Sequence, residues 1–548
     1  MTGRVRMKNG RLAKLKVIEK RKKAAAAMLA ARRKKKEESE SKSYVCEGNR
    51  IVNLQELGKN LKCCKCQEVL SLEKITDETR EGLHSILKID CSKCETKNAV
   101  FTGKKIQSNG HTFSDVNLTA VLGSVYSGIG CTSLNKIFAC LDMPVITMDL
   151  YKRYEREVGP AIEKAAIESC KKAVTEERQL VIQNLKKLCK NLPYDIVNNL
   201  YPQLQILETS DLFNNVLSNE QSINAFNAAC GTVINIIVSY DMGWSKRGNG
   251  RSYDSLNGYA AIIGFMSNKV LDYTTRNRKC AKCDRGHSKD DHDCRENFKG
   301  SAKAMEADAG AQLVNKSKIL QDAMLNVGVL IGDEDSSTIS AVRKGHDNVI
   351  YKLADKNHLV KHFSSELYDL ANRFKKLKKI GVISHLKKCF CYAISQNKGK
   401  TFDLASAIKS IPDHVYNRHE NCGNWCTRGD DKSISQAIIL KDELLYDSLR
   451  QIFIKYSNNA SKFSIAASSQ ANESLNSVIA SRAPKAKCYS RTESADFRVA
   501  SAVLSKNEGD RGLLIVKKKL GLTSGKYTTT YCNNADKLRK NKSIKKKY

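Results

Sequence analysis

Residues 233–253 read VINIIVSYDMGWSKRGNGRSY, and the reading of this stretch decides the fold. Val233, Ile234, Ile236, Ile237 and Val238 form a dense β-branched run behind Gly231. The run predicts a buried strand. Asp241 falls where that strand should end, because Gly243, Gly248 and Gly250 follow it. A carboxylate at the end of a buried strand has the rigid support that a metal site needs. The plainer alternative is an Asp that opens a turn.

Downstream, Tyr259 to Phe265 and Lys269 to Tyr273 are two more apolar runs, so 231–280 is expected to be a β-meander. Residues 301–325 read as a helix. Val327 to Ile331 reads as a strand ending in Gly332-Asp333-Glu334-Asp335. Ser336 to Val342 should open a helix capped by Asp335 or Ser336. Asn348 to Leu353 is a further strand, followed by Asp355-Lys356-Asn357-His358. Residues 364–465 are mostly helical and basic. The stretch 468–484 predicts a helix capped by Ser469 or Asn472 and stopped by Pro484, with Glu473 in its first turn. There the Glu also suits the helix dipole without further purpose.

This order fits an α/β core of RNase H-like type, in which acids from separate elements meet at one end of the sheet. Three such carboxylates can hold two divalent cations, one activating an attacking oxygen and the other stabilising the leaving oxygen of a phosphodiester. Hard oxygen ligands point to Mg²⁺, or Mn²⁺.

The cysteines add a second kind of chemistry. Cys63-x-x-Cys66 and Cys91-x-x-Cys94 have the spacing of a zinc ribbon, each pair forming a knuckle so that four thiolates converge. Cys46 and Cys64 are spare candidates. Cys280-x-x-Cys283 with His292-x-Cys294 is a second compact Zn²⁺ set, with His287 as an alternative ligand. His414, His419, Cys422, Trp425 and Cys426 form a looser group, either metal-binding or a local core around the Trp. Cys140, Cys170, Cys189 and Cys230 stand alone and are expected to be small buried apolar residues.

Across 548 residues, 93 Lys and Arg face 58 acids, a formal net charge of +35. That excess points to a polyanion, most often nucleic acid, with an anionic membrane surface as the competitor. No apolar run approaches the ~20 residues of a membrane span, and no secretory signal is evident, so a reducing compartment is expected. Aromatic residues make up 7%, too few and too scattered to supply the stacking platforms of an RNA binder. The basic segment 1–43, with Arg32-Arg33-Lys34-Lys35-Lys36, suits a nuclear import signal or a non-specific phosphate binder.

The chain resembles the Mutator-like transposases. The matching pieces are Asp241-Met242-Gly243-Trp244-Ser245-Lys246-Arg247-Gly248, the Cys280/Cys283/His292/Cys294 set, Gly332-Asp333-Glu334-Asp335-Ser336, Asp355-x-x-His358 and Asn472-Glu473-Ser474. The resemblance covers about residues 110–510. It departs from the pattern at Met242, where Gly is common, and in the long stretch 180–225. It implies a DDE-type endonuclease and strand transferase. Asp241, Asp333 and Glu473 would be the Mg²⁺ ligands, Asp335 the runner-up for the second, and His358 a residue that positions DNA.

The expected domains are a basic disordered arm (1–43), a zinc ribbon (44–108), a helical region (109–180) that is either a helix-turn-helix or a plain bundle, and a helical connector (181–230). An RNase H-like core (231–363 and 466–500) follows, with its zinc-binding insert (280–294), an all-α insertion (364–465) and a basic tail (501–548). Expected partners are double-stranded DNA, as terminal inverted repeats and target, and further copies of the chain. No membrane partner is expected, and the expected compartment is the nucleus. The alternative reading is a catalytically silent, transposase-derived protein that binds DNA sequence-specifically.

Overall fold

The computed structural model describes residues 46–108, 110–201, 233–246, 254–333, 336–346, 348–379, 381–422 and 440–545, with single positions 19, 23, 26 and 27. Apart from those four, the basic arm 1–43 lies outside the described residues. So do Cys230, Gly248, Gly250, Asp335, Trp425 and Cys426. The chain divides into two compact units, one of residues 1–118 and 131–151, the other of residues 119–130 and 152–548.

In the first unit, α1 (Leu54–Asn60) precedes β1 (Ile75–Glu81), β2 (His84–Asp90) and β3 (Lys97–Phe101). These strands form an antiparallel sheet in the order β1-β2-β3, and β4 (Lys105–Ser108) pairs with β5 (His111–Ser114). The β1–β2 turn needs Gly82, whose φ is +63° and where a Cβ would lie 2.8 Å from Asn117 Oδ1. The apolar core is small, built on Leu70, Leu87, Ile89 and Val100 with the buried Cys63 and Cys91.

Helices α2 (Asp115–Tyr126), α3 (Cys131–Cys140), α4 (Met148–Asn191) and α5 (Tyr194–Leu200) follow. Cys140 is exposed, against the expectation of burial; Cys170 is buried and Cys189 half-buried.

The second unit contains a five-stranded sheet in the order β10-β9-β6-β7-β8. Its strands are β6 (Ile234–Trp244), β7 (Asn257–Gly264), β8 (Val270–Asn277), β9 (Leu325–Gly332) and β10 (Tyr351–Ala354). β6, β7 and β8 run as an antiparallel meander, whereas β9 is parallel to both β6 and β10. Ile236, Val238, Val327, Val329 and Ile331 are wholly buried, as expected for central strands covered on both faces. Helices α6 (Ala304–Asn315), α7 (Lys318–Asp322) and α8 (Ser336–Lys344) connect the strands beyond β8.

Between β10 and the end of the core, α9 (Lys356–Arg373), α10 (Val382–Gln396), α11 (Thr401–Val415) and α12 (Glu443–Asn458) pack around Phe363, Phe390, Phe453 and Phe463. Then come α13 (Gln470–Arg482) and α14 (Ser494–Glu508). α14 buries Arg498 completely; its guanidinium donates to the carbonyls of Arg482 at 2.7 Å and Ile129 at 2.8 Å.

The stretch expected as a basic tail contains α15 (Gly512–Lys519) and α16 (Lys526–Lys545). The Asp536 carboxylate accepts the amides of Asp510 at 2.7 Å and Arg511 at 3.3 Å, and Cys532 is buried, so α16 is anchored despite its charge. Among the described residues no helix is long and apolar enough to cross a membrane.

Candidate active site and metal centres

The parallel pairing of β6 with β9 stops at Ser239 and Ile331. Asp241 and Asp333 each lie two residues further on, just past the end of the parallel pairing, Asp333 directly after β9 and Asp241 still within β6. β6 does not end at Asp241 as its glycines predicted. It continues along β7 as far as Trp244 opposite Gly258, so Asp241 stands on a paired strand that has lost its β9 neighbour. Gly243 has no Cβ because the Tyr259 ring occupies that space, 2.0 Å from where one would sit.

Both oxygens of Asp241 are held. Oδ1 accepts the Met242 amide at 2.8 Å and Oδ2 accepts Asn476 Nδ2 at 2.7 Å. Burial pushes its carboxyl up to about 6, and the negative charges of Asp333 and Glu473 add to the shift, while His358 opposes it. Asp241 is therefore a half-buried acid in an acidic neighbourhood, a setting that suits a bound cation.

His358 sits between the other two acids. Its Nδ1 is paired with Asp333 Oδ1, and its Nε2 lies 4.0 Å from Glu473 Oε1. All three side chains are partly exposed. Asp355 fixes this arrangement. It is the N-cap of α9, and its carboxylate accepts the His358 amide at 2.8 Å. Its second oxygen accepts the Ser469 amide at the start of α13, and the Lys356 amide donates to the Ala467 carbonyl at 2.8 Å. One buried carboxylate thus ties the turn bearing His358 to the helix bearing Glu473.

The helix α13 begins after Ser469, but the Ser469 side chain makes no capping hydrogen bond. Asn472, the other candidate cap, lies inside the helix and points into the sheet. Its Oδ1 accepts from Ser239 Oγ at 2.6 Å, and its Nδ2 donates to the Ala261 carbonyl at 3.0 Å. Asn472 and Asn476 are one turn apart and both bond into the β6–β7 region, leaving Glu473 at the flank. Neither Asn476 nor the double role of Asp355 was anticipated. The signal was an Asn pair spaced i, i+4 around the Glu.

The two cysteine sets converge as spaced. Cys63, Cys66, Cys91 and Cys94 bring their sulfurs within 4.8 Å of one another, and Cys280, Cys283, His292 and Cys294 do the same with their ligand atoms. Cys63 and Cys94 sulfurs are 3.5 Å apart, as are those of Cys66 and Cys91. A tetrahedral zinc thiolate centre has S–S edges of about 3.8 Å, so the donor type and spacing fit zinc. The backbone amide of Cys66 holds the Cys63 thiol down to about 6. His292 Nε2 lies 3.2 Å from Cys280 and 3.6 Å from Cys283; His287 is not in the group. Burial raises the Cys280 thiol, but the amides of Cys283 and Lys282 and the His292 ring outweigh it, leaving it at about 7. Cys46 is drawn to Arg50, and Cys64 is exposed.

Compared with known proteins, residues 48–198 and 214–426 match the family model described as Mutator-like transposase. These spans include the ribbon cysteines, Asp241, the second cysteine set, Asp333 and His358, while Glu473 lies beyond them. A search of curated proteins finds no match. With well over half of its length covered by that model, the chain belongs to the Mutator-like transposase family.

Proposed function

We propose that the protein is a DDE-type transposase that cuts and joins DNA on an RNase H-like core. The observation that carries this reading is the gathering of Asp241, Asp333 and Glu473 around His358, just past the end of the parallel β6–β9 pairing. The sheet order supports the RNase H-like assignment, with a three-stranded meander extended by two strands parallel to its first.

Asp241, Asp333 and Glu473 would hold two Mg²⁺ or Mn²⁺ ions, which supply charge stabilisation to the attacking and leaving oxygens of the phosphodiester. Asn476 and the Met242 amide orient Asp241 before any ion arrives. His358 orients Asp333 and presents its exposed edge where a phosphate would lie. The zinc ribbon and helices α2 and α3 would contact the terminal repeats. The basic surplus would add salt-sensitive affinity for terminal and target DNA. Paired element ends call for a homo-oligomer, and chromosomal DNA places the work in the nucleus.

The test is Mg²⁺-dependent cleavage of terminal-repeat DNA by the wild type and by Asp241→Asn. The variant should lose about two orders of magnitude or more, the scale of removing one preorganised electrostatic group. Equal cleavage would take Asp241 out of the mechanism. Specific binding by the wild type with no cleavage would make the protein a silent DNA binder.

A further inference from the structure

Five more nitrogen and sulfur donors form two overlapping triplets in the helical part of the second unit, apart from both cysteine sets. His385 and Cys389 are one turn apart on α10. His414 lies in the last turn of α11, and His419 and Cys422 follow in the turn beyond it. His385 Nε2 is 3.7 Å from Cys389 Sγ. From Cys422 Sγ, His414 Nδ1 is 3.5 Å away and His419 Nδ1 3.6 Å. The N–S edge of a tetrahedral zinc site is about 3.6 Å, so each of these separations is one edge of such a site.

The donors form two mutually close triplets, His385 with Cys389 and His414, and His414 with His419 and Cys422. Cys389 and Cys422 belong to different triplets, but both triplets share His414, and a neutral imidazole ligates one ion, so a single ion at His414 would draw the two sulfurs in from either side. Cys389, His414 and Cys422 are buried and held by packed elements. The far nitrogen of His419 lies 3.0 Å from Asn417 Oδ1, the outer contact that sets a ligating imidazole's orientation. Two sulfurs among nitrogens select zinc over the hard cations of the carboxylate site.

We infer that a third zinc ion is bound here by Cys389, His414 and Cys422, completed by the imidazole of His385 or His419. It fastens the turn after α11 onto α10, close to where Leu440 donates its amide to the Val415 carbonyl at 3.0 Å. The sequence showed only the second half of this site. The i, i+4 His and Cys of α10 lie 25 residues and more upstream.

The test is the zinc content of the full-length protein after gel filtration. Three ions per chain are expected, two from the cysteine sets and one here. Cys389→Ser and Cys422→Ser should each reduce the count to two, and Cys391→Ser, on the same helix but in no group, should leave three. Two ions in the wild type would overturn the assignment, as would three in both serine variants. Cobalt exchange into the wild type requires no variant to fold. Charge-transfer absorption equivalent to nine bound thiolates supports the site, and seven removes it.

Discussion

The Ser239 hydroxyl donates to Oδ1 of Asn472 at 2.6 Å, joining the central strand to a helix 233 residues further along the chain. Asn472 is almost wholly buried, and its amide also bonds the Ala261 carbonyl. Removing it leaves two buried polar groups without their partner, a cost of about 1–3 kcal/mol. Asn472→Ala should therefore lower the melting temperature and release Glu473 from its position. Glu473→Gln removes a half-exposed charge and should leave the melting temperature within a degree or two while abolishing cleavage. Equal stability of the two variants, measured by thermal unfolding, would show that Asn472 does not dock the helix.

Asp241 makes stability depend on pH with a definite sign. Its folded pKa is raised to about 6 from an ordinary 3.8. The folded state is therefore penalised wherever the group is ionised. The penalty is absent below about pH 4, grows as pH rises to about 6, and is complete above that. A shift of this size corresponds to roughly 2–3 kcal/mol. In chelator-treated protein, Asp241→Asn should be more stable than the wild type at pH 7.5, and the gain should vanish as the pH is lowered to 4. Asn476 can rotate to offer its carbonyl to the new amide, so the hydrogen bond survives. Added Mg²⁺ should raise the wild-type melting temperature and not that of the variant. A variant less stable than the wild type at pH 7.5 would refute the account.

The sheet was legible because its strands are apolar and end in turn residues. Ile234 to Val238 and Val327 to Ile331 carry their own burial in their composition. The zinc sets were legible because thiolate spacing is local. What escaped is what depends on distant partners. Nothing near Ser469 says that its amide will meet Asp355, and nothing in α16 says that Asp536 will anchor it to residues 510 and 511. Strand register was also hidden. The glycines after Asp241 suggested a break, but Gly243 is used to seat the Tyr259 ring inside a continuing strand.

The ribbon should depend on its metal more than the large sheet does. Its apolar core has only a few aliphatic side chains besides the cysteines, too little to fold alone without a staple. Stripping zinc with a strong thiol-compatible chelator should abolish amide-exchange protection in β1, β2 and β3 and spare β6 and β9. Continued protection of Leu87 and Ile89 after the zinc has gone would show that the ribbon is held by its side chains alone.

The Asp355-x-x-His358 pair divides into two separable jobs. Asp355 is 1% exposed and spends both oxygens on backbone amides, those of His358 and Ser469. An asparagine has one acceptor oxygen, so Asp355→Asn must leave one amide facing an NH₂ group in a buried place, at about 1–3 kcal/mol. His358 is one-third exposed, and its ring meets the acids Asp333 and Glu473. His358→Gln keeps the backbone amide that caps onto Asp355 and can still donate toward Asp333. The expected outcome is a clear drop in melting temperature for Asp355→Asn, with cleavage lost in proportion to misplacement of Glu473. For His358→Gln the melting temperature should hold while the cleavage rate at saturating DNA falls. If both variants melt like the wild type, Asp355 is not the tie between α9 and α13, and its place beside His358 needs another explanation.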